Sequence, residues 1–306
     1  MSLQYAGEQL TAYGGIFLLV TGVTGDALNI FIFLTIRIYR TTPCTFFFLV
    51  GLTHDIGQLL ISLTELIFKT GYGIDPTRTS TFLCKSRLYL VNGFATVSLS
   101  CSCLAVIDQF LVTSRSARLR GWSNITWAYR LALVAFSIAW LTSIPIAIHT
   151  EILPTISTCI PDANLTAYLP FASLLTLSAL PVSVMLTFGY LAYRNIRLTT
   201  ALTRHRVDRQ LTRMICMQVI LIAVCQIPYG IFNAYTLLTA NVTKDADRLD
   251  KELFASRIAA LLNYGTSSGN FYVFLVTSSR FRQIVKDKIF WWRPQNQIGP
   301  VTVETT

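Results

Sequence analysis

Charged residues are scarce in this chain of 306 residues and make up only 13% of it. Soluble domains average about 25% charged and about 45–50% apolar residues, whereas 53% of this chain is apolar. A soluble core could not bury that much apolar surface, so the positive mean hydropathy of +0.53 must come from membrane-spanning segments. This balance argues against a cytoplasmic enzyme, a nucleic-acid-binding protein and a disordered scaffold.

Other features are missing as well. The sequence has three histidines, and it has no metal-ligand cluster, phosphate-binding loop or haem motif. It shows no clear internal repeat, which disfavours the inverted-repeat transporters. The first ten residues lack the basic segment of a signal peptide, and the apolar stretch after them is too long for one. We therefore expect the first stretch to remain as a signal-anchor helix.

Seven apolar stretches are long enough to cross a bilayer as helices, which takes roughly 20 residues each. Helices are the default because lipid offers backbone polar groups no other partner. The sequence therefore predicts an all-α membrane protein, a seven-transmembrane helix bundle, in which segment 11–278 is the bundle and segment 1–10 a short extracellular N-terminus. The expected spans are Thr11–Ile36, Thr45–Phe68, Leu88–Val112, Leu131–Thr150, Leu169–Ala192, Met214–Thr239 and Leu253–Val276.

Most of the 25 lysines and arginines lie on one side of these spans. The positive-inside rule makes that side cytoplasmic and leaves the N-terminus outside and the C-terminus inside. The net charge of +10 is therefore a topology signal rather than a nucleic-acid signal. We expect a multi-pass protein of the plasma membrane that contacts lipid and binds no nucleic acid.

Two of the seven cysteines, Cys84 and Cys159, fall on the expected outer side. A disulfide between them is chemically permitted there, and two free thiols are the alternative. It would join the second outer loop to the top of the third helix.

Asn164 and Asn241 lie in outer-loop sequons and are expected glycosylation sites, whereas the sequon at Asn124 is on the cytoplasmic side.

Ionisable residues inside the spans are costly and are candidates for function. If the helices bundle in order, one mid-membrane cluster forms, consisting of Asp26, Asp55, Ser98, Ser267 and Asn270. Such a cluster could hold a hydrated Na⁺ or a shared proton; the alternative is a hydrogen-bonded layer that fixes helix register. Apart from this Na⁺, no cofactor and no metal is expected. Glu65 lies further toward the outside and could pair with a cationic ligand group.

Several short motifs occur in order along these spans. They are Gly25-Asp26-Ala27-Leu28, Leu52-Thr53-His54-Asp55, Asp108-Gln109-Phe110, Cys225-Gln226-Ile227-Pro228 and Asn270-Phe271-Tyr272-Val273-Phe274. Together they resemble the rhodopsin-like (class A) G-protein-coupled receptors over nearly the whole chain, with Asp for Asn, Gln for Arg, Gln for Trp and Phe for Pro and Tyr at motif positions. The stretches QLTRMI and RFRQIV are similar to those of divergent invertebrate receptors related to neuropeptide receptors.

The resemblance implies an extracellular ligand, an outward swing of helix six, coupling to a heterotrimeric G protein and, more weakly, arrestin binding. It assigns coupling and switching to Asp108, Gln109, Phe110, Asp208, Gln226, Pro228, Asn270 and Phe274, and a sodium site to Asp55, Ser98, Ser267 and Asn270. In the family an arginine at the place of Gln109 pairs with an acidic residue on helix six, here Asp208. A Gln–Asp hydrogen bond is weaker than that pair, so the inactive state would be held less firmly and basal activity would rise. Loss of the arginine, which contacts the G protein in the family, would have the opposite effect and lower coupling.

The same comparison places ligand-pocket candidates at Glu65, Val91, Asn92, Tyr229, Asn233 and Tyr264. Val91 stands where amine receptors have an aspartate, and the seventh span has no lysine for a retinal Schiff base. A short peptide is the ligand class we expect.

Apolar residues at helical spacing between Phe281 and Trp292 alternate with Arg282, Lys286 and Lys288, which predicts an amphipathic interfacial helix over 279–292 and a cytoplasmic tail over 293–306.

Two other functions fit parts of the pattern. A proton- or ion-coupled transporter would use Asp26 and Asp55 directly. An intramembrane serine protease is suggested by Gly265-Thr266-Ser267-Ser268-Gly269, but no histidine follows that serine. Chance is the better explanation of this Gly-x-Ser-x-Gly motif, and the protein is not expected to be an enzyme.

Overall fold

The structure is a computed structural model that describes residues 3–153, 158–198, 206–240 and 242–289. Within these residues seven long helices form one bundle. Their bounds are α1 Leu3–Thr35, α2 Pro43–Gly71, α3 Thr81–Thr113, α4 Ile125–Ile148, α5 163–198, α6 Arg206–Leu238 and α7 Ala246–Thr277, and an eighth helix, α8, spans Ser279–Ile289. The predicted all-α membrane bundle is confirmed.

Six of these helices, α1 to α6, are long and apolar enough to cross a membrane among the residues described. Helix α7 is less apolar because polar side chains lie in its middle, among them Asn263, Thr266 and Asn270. It packs between α1 and α6, so these polar groups face the inside of the bundle. Large apolar side chains such as Phe17, Leu133 and Val224 are exposed on the outside, as a lipid-facing surface requires.

Several helices contain wider, π-helical turns. Helix α1 has one at Leu10–Gly14, α2 has two at Leu59–Leu63 and Ile67–Gly71, and α5 has one at Leu174–Ala179. Each such turn inserts an extra residue and shifts the faces of the helix on either side of it. The outer halves of these helices therefore present different residues to the bundle than a regular helix would.

Two element boundaries in the structure differ from the expected ones. Residues 1–10 were predicted as a separate N-terminal segment, but α1 begins at Leu3 because its first turns pack against α7. There Arg257 donates to the carbonyl oxygen of Gln4 at 2.9 Å. Thr150, expected in the fourth span, begins a strand instead. Strands β1 Thr150–Leu153 and β2 Thr158–Pro161 form an antiparallel hairpin that the sequence analysis missed.

The cytoplasmic end of the core is aromatic. Phe33 of α1, Phe48 of α2, Phe274 of α7 and Phe281 of α8 pack with ring centroids 5.5 to 6.4 Å apart. Phe281 and Val285 of α8 are buried, whereas Arg282, Lys286 and Lys288 are exposed, which is the arrangement of an interfacial helix. The side chain of Ile289 and residues 290–306, with Trp291, Trp292 and the predicted tail, lie outside the described residues.

Candidate functional site

Asp55 is the centre of a buried polar cluster that joins α2, α3 and α7. Ser98 and Ser267 each donate a hydroxyl hydrogen bond to Asp55 Oδ1, at 2.7 and 2.8 Å. The Asn270 amide donates to Oδ2 at 3.1 Å. Asp55 is 5% exposed, so these three donors replace the water that a carboxylate would otherwise bind. The helices therefore bring together four of the five residues expected in this cluster.

A small cavity lies beside Asp55 and has room for about one water molecule. The amide of Gln218 lies at its wall and donates to Asn270 Oδ1 at 3.3 Å, which links α6 to the cluster. Further polar side chains line it, namely Gln58, Ser102, Gln226, Asn263 and Thr266. Carboxylate, hydroxyl and amide oxygens around a confined space are groups that a small cation can use as ligands.

Asp26 is not part of this cluster, contrary to the prediction. It is 1% exposed and feels the charge of Asp55, yet none of the described residues gives it a hydrogen bond. The three donors that face Asp55 come from α3 and α7, and they point to the α2 carboxylate alone. Asp26 sits on α1, beyond that set.

The outer loop is joined to the bundle by a disulfide. Cys84, in the first turn of α3, is bonded to Cys159 of β2, and this prediction is confirmed. The bond holds the β1–β2 hairpin against the outer end of α3.

The first outer loop, beside this hairpin, is ordered around Asp75, which accepts a hydrogen bond from the Thr77 hydroxyl and pairs with Lys69 at 3.2 Å. Burial raises the pKa of Asp75, but these partners outweigh it and hold that pKa below its ordinary value.

On the cytoplasmic side, Gln109 is tied to helix α6 by a neutral hydrogen bond. The hydroxyl of Thr212 donates to Gln109 Oε1 at 2.9 Å, and Gln109 is 2% exposed. Asp208, the expected partner, is one turn earlier on α6, and its side chain lies outside the described residues. The neighbouring Asp108 accepts a hydrogen bond from Ser123 at 2.6 Å, and Phe110 packs edge-to-face on Phe188 of α5.

With these contacts established, the comparisons with known proteins decide the family. The family model described as 7 transmembrane receptor (rhodopsin family) matches residues 27–270. The chain belongs to the rhodopsin family of receptors. No curated protein matches the sequence. As a member of this family the protein is a multi-pass membrane receptor, and the family, whose members are receptors rather than enzymes, implies an extracellular ligand and a G protein as partners. Asp26 stands immediately before the matched residues and Phe274 after them.

Two of the pocket candidates in this receptor already have partners from neighbouring helices. The carboxylate of Glu65 on α2 pairs with the guanidinium of Arg87 on α3. Arg87 therefore supplies a counter-charge to Glu65, and the pairing of Glu65 with a cationic ligand group stays a prediction. The Asn92 amide donates to Ser143 Oγ at 2.8 Å, so this side chain faces α4.

The remaining candidates are spread over α3, α6 and α7. Asn233 accepts a hydrogen bond from Ser173 of α5 at 3.1 Å and donates to the carbonyl oxygen of Tyr229. Tyr264 of α7 is buried with Leu59 and Leu63 of α2. Val91 is half-buried on α3.

Switch residues of helix α6 are in contact with α5. Gln226 is 1% exposed, and its carbonyl oxygen accepts a hydrogen bond from Ser178 of α5 at 2.9 Å. Gly230 makes this approach possible, because a Cβ there would lie 2.3 Å from Ser178 Oγ. Pro228 lies between them and removes a backbone donor from the helix, which permits bending there.

Several partners were not identified from the sequence. Thr212, Ser123 and Arg87 are common residue types in no recognisable motif, so only the packing of the helices reveals their roles. The predicted glycosylation sites remain predictions: Asn241 and the side chain of Asn164 lie outside the described residues. The Gly-x-Ser-x-Gly motif lies within the regular helix α7, where Ser267 donates to Asp55 and Ser268 donates to the Leu18 carbonyl oxygen.

Proposed function

We propose that this receptor binds a short extracellular peptide and activates a heterotrimeric G protein through movement of the cytoplasmic half of α6. The observation that carries the receptor assignment is the family match over residues 27–270. The finer parts of the proposal, the ligand class and the moving helix, are supported by contacts at the two ends of the bundle.

The β1–β2 hairpin supports a peptide ligand. Among the described residues each strand of this sheet pairs only with the other, and an extended peptide can add to an open strand edge through backbone hydrogen bonds. The register pairs Thr150 with Pro161 and Ile152 with Cys159, and the disulfide fixes β2 near the end of α3. A peptide paired to the hairpin would therefore lie over the outer opening of the bundle.

The contacts of α6 support movement of its cytoplasmic end. At the outer end Tyr235 donates to Glu252 of α7 at 2.6 Å, and Lys244 and Arg248 pair with the same carboxylate. At the cytoplasmic end the hydrogen bond described between α6 and α3 is the neutral one from Thr212 to Gln109, beside apolar packing of the two helices. A helix restrained more strongly at one end swings at the other, and Pro228 lies between the two.

The disulfide also supports the proposed orientation. Disulfides persist on the oxidising side of a membrane, which supports an outer position for the start of α3 and, two spans earlier, for the N-terminus. The same residues that hold Asp55 suit a monovalent cation, so we include Na⁺ as a ligand of Asp55, Ser98, Ser267 and Asn270. When bound, Na⁺ would neutralise the charge of the Asp55 carboxylate.

Plasma-membrane residence, and arrestin as a further partner, follow from the family and remain part of the proposal.

The first experiment measures G-protein dissociation in cells that carry the receptor at matched surface levels. Wild type and Gln109→Arg are each tested without ligand and with a pooled peptide library. A peptide response in wild type supports the proposal and shows that Gln109 is sufficient for coupling. A response only in Gln109→Arg locates an impairment at that residue.

A second arm tests the binding mode. Any active peptide is compared with versions whose backbone amides are N-methylated, which removes strand pairing while keeping the side chains. Loss of the response on methylation of alternate residues supports pairing with the hairpin. Silence of both receptors, together with substrate flux in membranes without G protein, would contradict the proposal and favour the transporter.

A further inference from the structure

Helix α1 contains a second buried polar site, which the function proposed above does not use. Asp26 is the only charged residue of α1 between Glu8 and Arg37. It is 1% exposed, and Asn29, one turn further along the same face, is 0% exposed. Neither the carboxylate oxygens of Asp26 nor the amide atoms of Asn29 have a hydrogen-bond partner among the described residues.

An ionised carboxylate in this position would be strongly unfavourable. Burying a charge costs far more than a hydrogen bond returns unless a counter-charge or several donors compensate for it. Asp55 shows what compensation looks like, since two hydroxyls and an amide donate to it. Asp26 receives no such donor from the described residues, so its charge must be neutralised in another way.

Among the described residues, none of the helices packed against α1 supplies a counter-charge near Asp26. On α2 the charged neighbour is Asp55, which has the same sign and cannot serve as a counter-charge. His54 faces the other way, with its ring between Phe94 and Phe136. Helix α7 has no charged residue between Arg257 and Arg280, and its Tyr272 hydroxyl donates to the Thr21 carbonyl oxygen.

Space decides between a metal cation and a proton. Helix α1 packs closely on both neighbours: a Cβ at Gly22 would lie 2.6 Å from Leu59 of α2, and one at Gly25 would lie 2.9 Å from Phe271 of α7. Asp26 and Asn29 do not line the cavity beside Asp55. A metal cation needs several oxygen ligands around it, whereas a proton needs no additional volume.

We propose that Asp26 is a proton-binding site and that the folded receptor carries this carboxyl group as a neutral acid at neutral pH. The proton removes the buried charge and turns the carboxyl group into a hydrogen-bond donor. An asparagine at this position, which the family motif has, would supply a donor permanently. In this receptor the donor is present only while the proton is bound.

Infrared spectroscopy of the purified receptor tests the proposal directly. A protonated carboxylic acid has a carbonyl band that carboxylates lack, so wild type, Asp26→Asn and Asp55→Asn are compared at neutral pH. We expect the band in wild type, its loss in Asp26→Asn and its retention in Asp55→Asn. Asp26→Asn is nearly isosteric and matches the family motif, so it should fold. Absence of the band in wild type, or its loss only in Asp55→Asn, would overturn the proposal.

Thermal unfolding provides an independent measurement. If the native state holds a proton that the unfolded chain releases at neutral pH, wild-type stability must fall as the pH rises. In Asp26→Asn the stability should fall less steeply with pH, because unfolding releases up to one proton fewer than in wild type. Identical slopes in the two proteins would overturn the proposal. Both measurements work without ligand or G protein, so their failure is distinguishable from failure of the proposed signalling function.

Discussion

The two ends of the bundle are held together by different chemistry. The outer end is held by the Cys84–Cys159 disulfide, by the ion pair of Glu65 with Arg87 and by the hydrogen bond from Tyr235 of α6 to the Glu252 carboxylate of α7. At the cytoplasmic end α3 is joined to α6 by the neutral Thr212–Gln109 hydrogen bond. Covalent and charge-assisted contacts are stronger than neutral hydrogen bonds.

This difference indicates where the molecule can change shape. Contacts that must break and reform during signalling have to be weak, because an equilibrium between two states can be shifted only by the difference in ligand affinity. In the proposed function, the outer end keeps the ligand-facing surface in place while the cytoplasmic end opens. The mid-membrane Asp55 cluster lies between the two and links α2, α3 and α7.

The largest effect should come from breaking the outer end. Cys159→Ser removes the disulfide, and loss of a native disulfide typically costs about 2–5 kcal/mol. We expect little receptor at the cell surface and a much lower thermal midpoint for what is purified. Cys216→Ser is the matched control, since Cys216 is a free cysteine. Normal surface levels and stability in Cys159→Ser would show that the disulfide does not stabilise the outer end as we infer.

The next largest effect should follow Asp55→Ala, which tests the layer between the ends. It leaves Ser98, Ser267 and Asn270 without their shared acceptor, at a cost of about 3 kcal/mol. The measurement is the thermal midpoint of purified receptor. Ser102→Ala is the control, because Ser102 lies on the same helix as Ser98 and lines the same cavity. Equal midpoints in the two variants would show that the cluster is not a structural link.

A smaller change in stability, but a clear change in signalling, is expected for Thr212→Val. The variant keeps the shape of the side chain and loses one neutral hydrogen bond, worth about 1 kcal/mol. That energy corresponds to about a fivefold shift in an equilibrium, so basal G-protein dissociation should rise by about that factor. Thr236→Val on the same helix is the control, since Thr236 bonds only to carbonyl oxygens of its own helix. Unchanged basal signalling would mean that this bond does not restrain α6.

The smallest effect is expected for Lys251→Ala. Lys251 and Asp247 form an ion pair one turn apart on the outer surface, and both side chains are well exposed. Solvent and salt screen such pairs, so neither surface expression nor the thermal midpoint should change measurably. A clear loss of stability would show that the strength of the outer end extends to its exposed ion pairs, which our comparison does not assume.

The sequence predicted the bundle well because lipid imposes strong constraints. Apolar stretches of spanning length, the uneven distribution of arginines and two cysteines on the outer side were enough to predict the helices and the disulfide. The Asp55 cluster was also largely predictable, since Asp55, Ser98, Ser267 and Asn270 stand out as polar groups in apolar surroundings.

The rest depended on rotations of the helices that the sequence does not encode in a simple pattern. The π-helical turns in α1, α2 and α5 change which residues face inward. A periodic pattern gives no sign that Glu65 meets Arg87, that Asn92 meets Ser143, or that Asp26 is left outside the cluster. The hairpin was missed because its strands, Thr150–Leu153 and Thr158–Pro161, are four residues each, too short to give a clear alternating pattern.

The most direct test of the unequal ends compares two distances between α4 and α6 by pulsed electron resonance. Spin labels are introduced as unnatural amino acids, so that the disulfide stays intact, at Thr126 and Arg213 near the cytoplasmic end and at Ile148 and Leu238 near the outer end. These four side chains are exposed. On binding nucleotide-free G protein, the first distance should lengthen and the second should stay nearly constant. An unchanged cytoplasmic distance, or an equal change at both ends, would contradict the account.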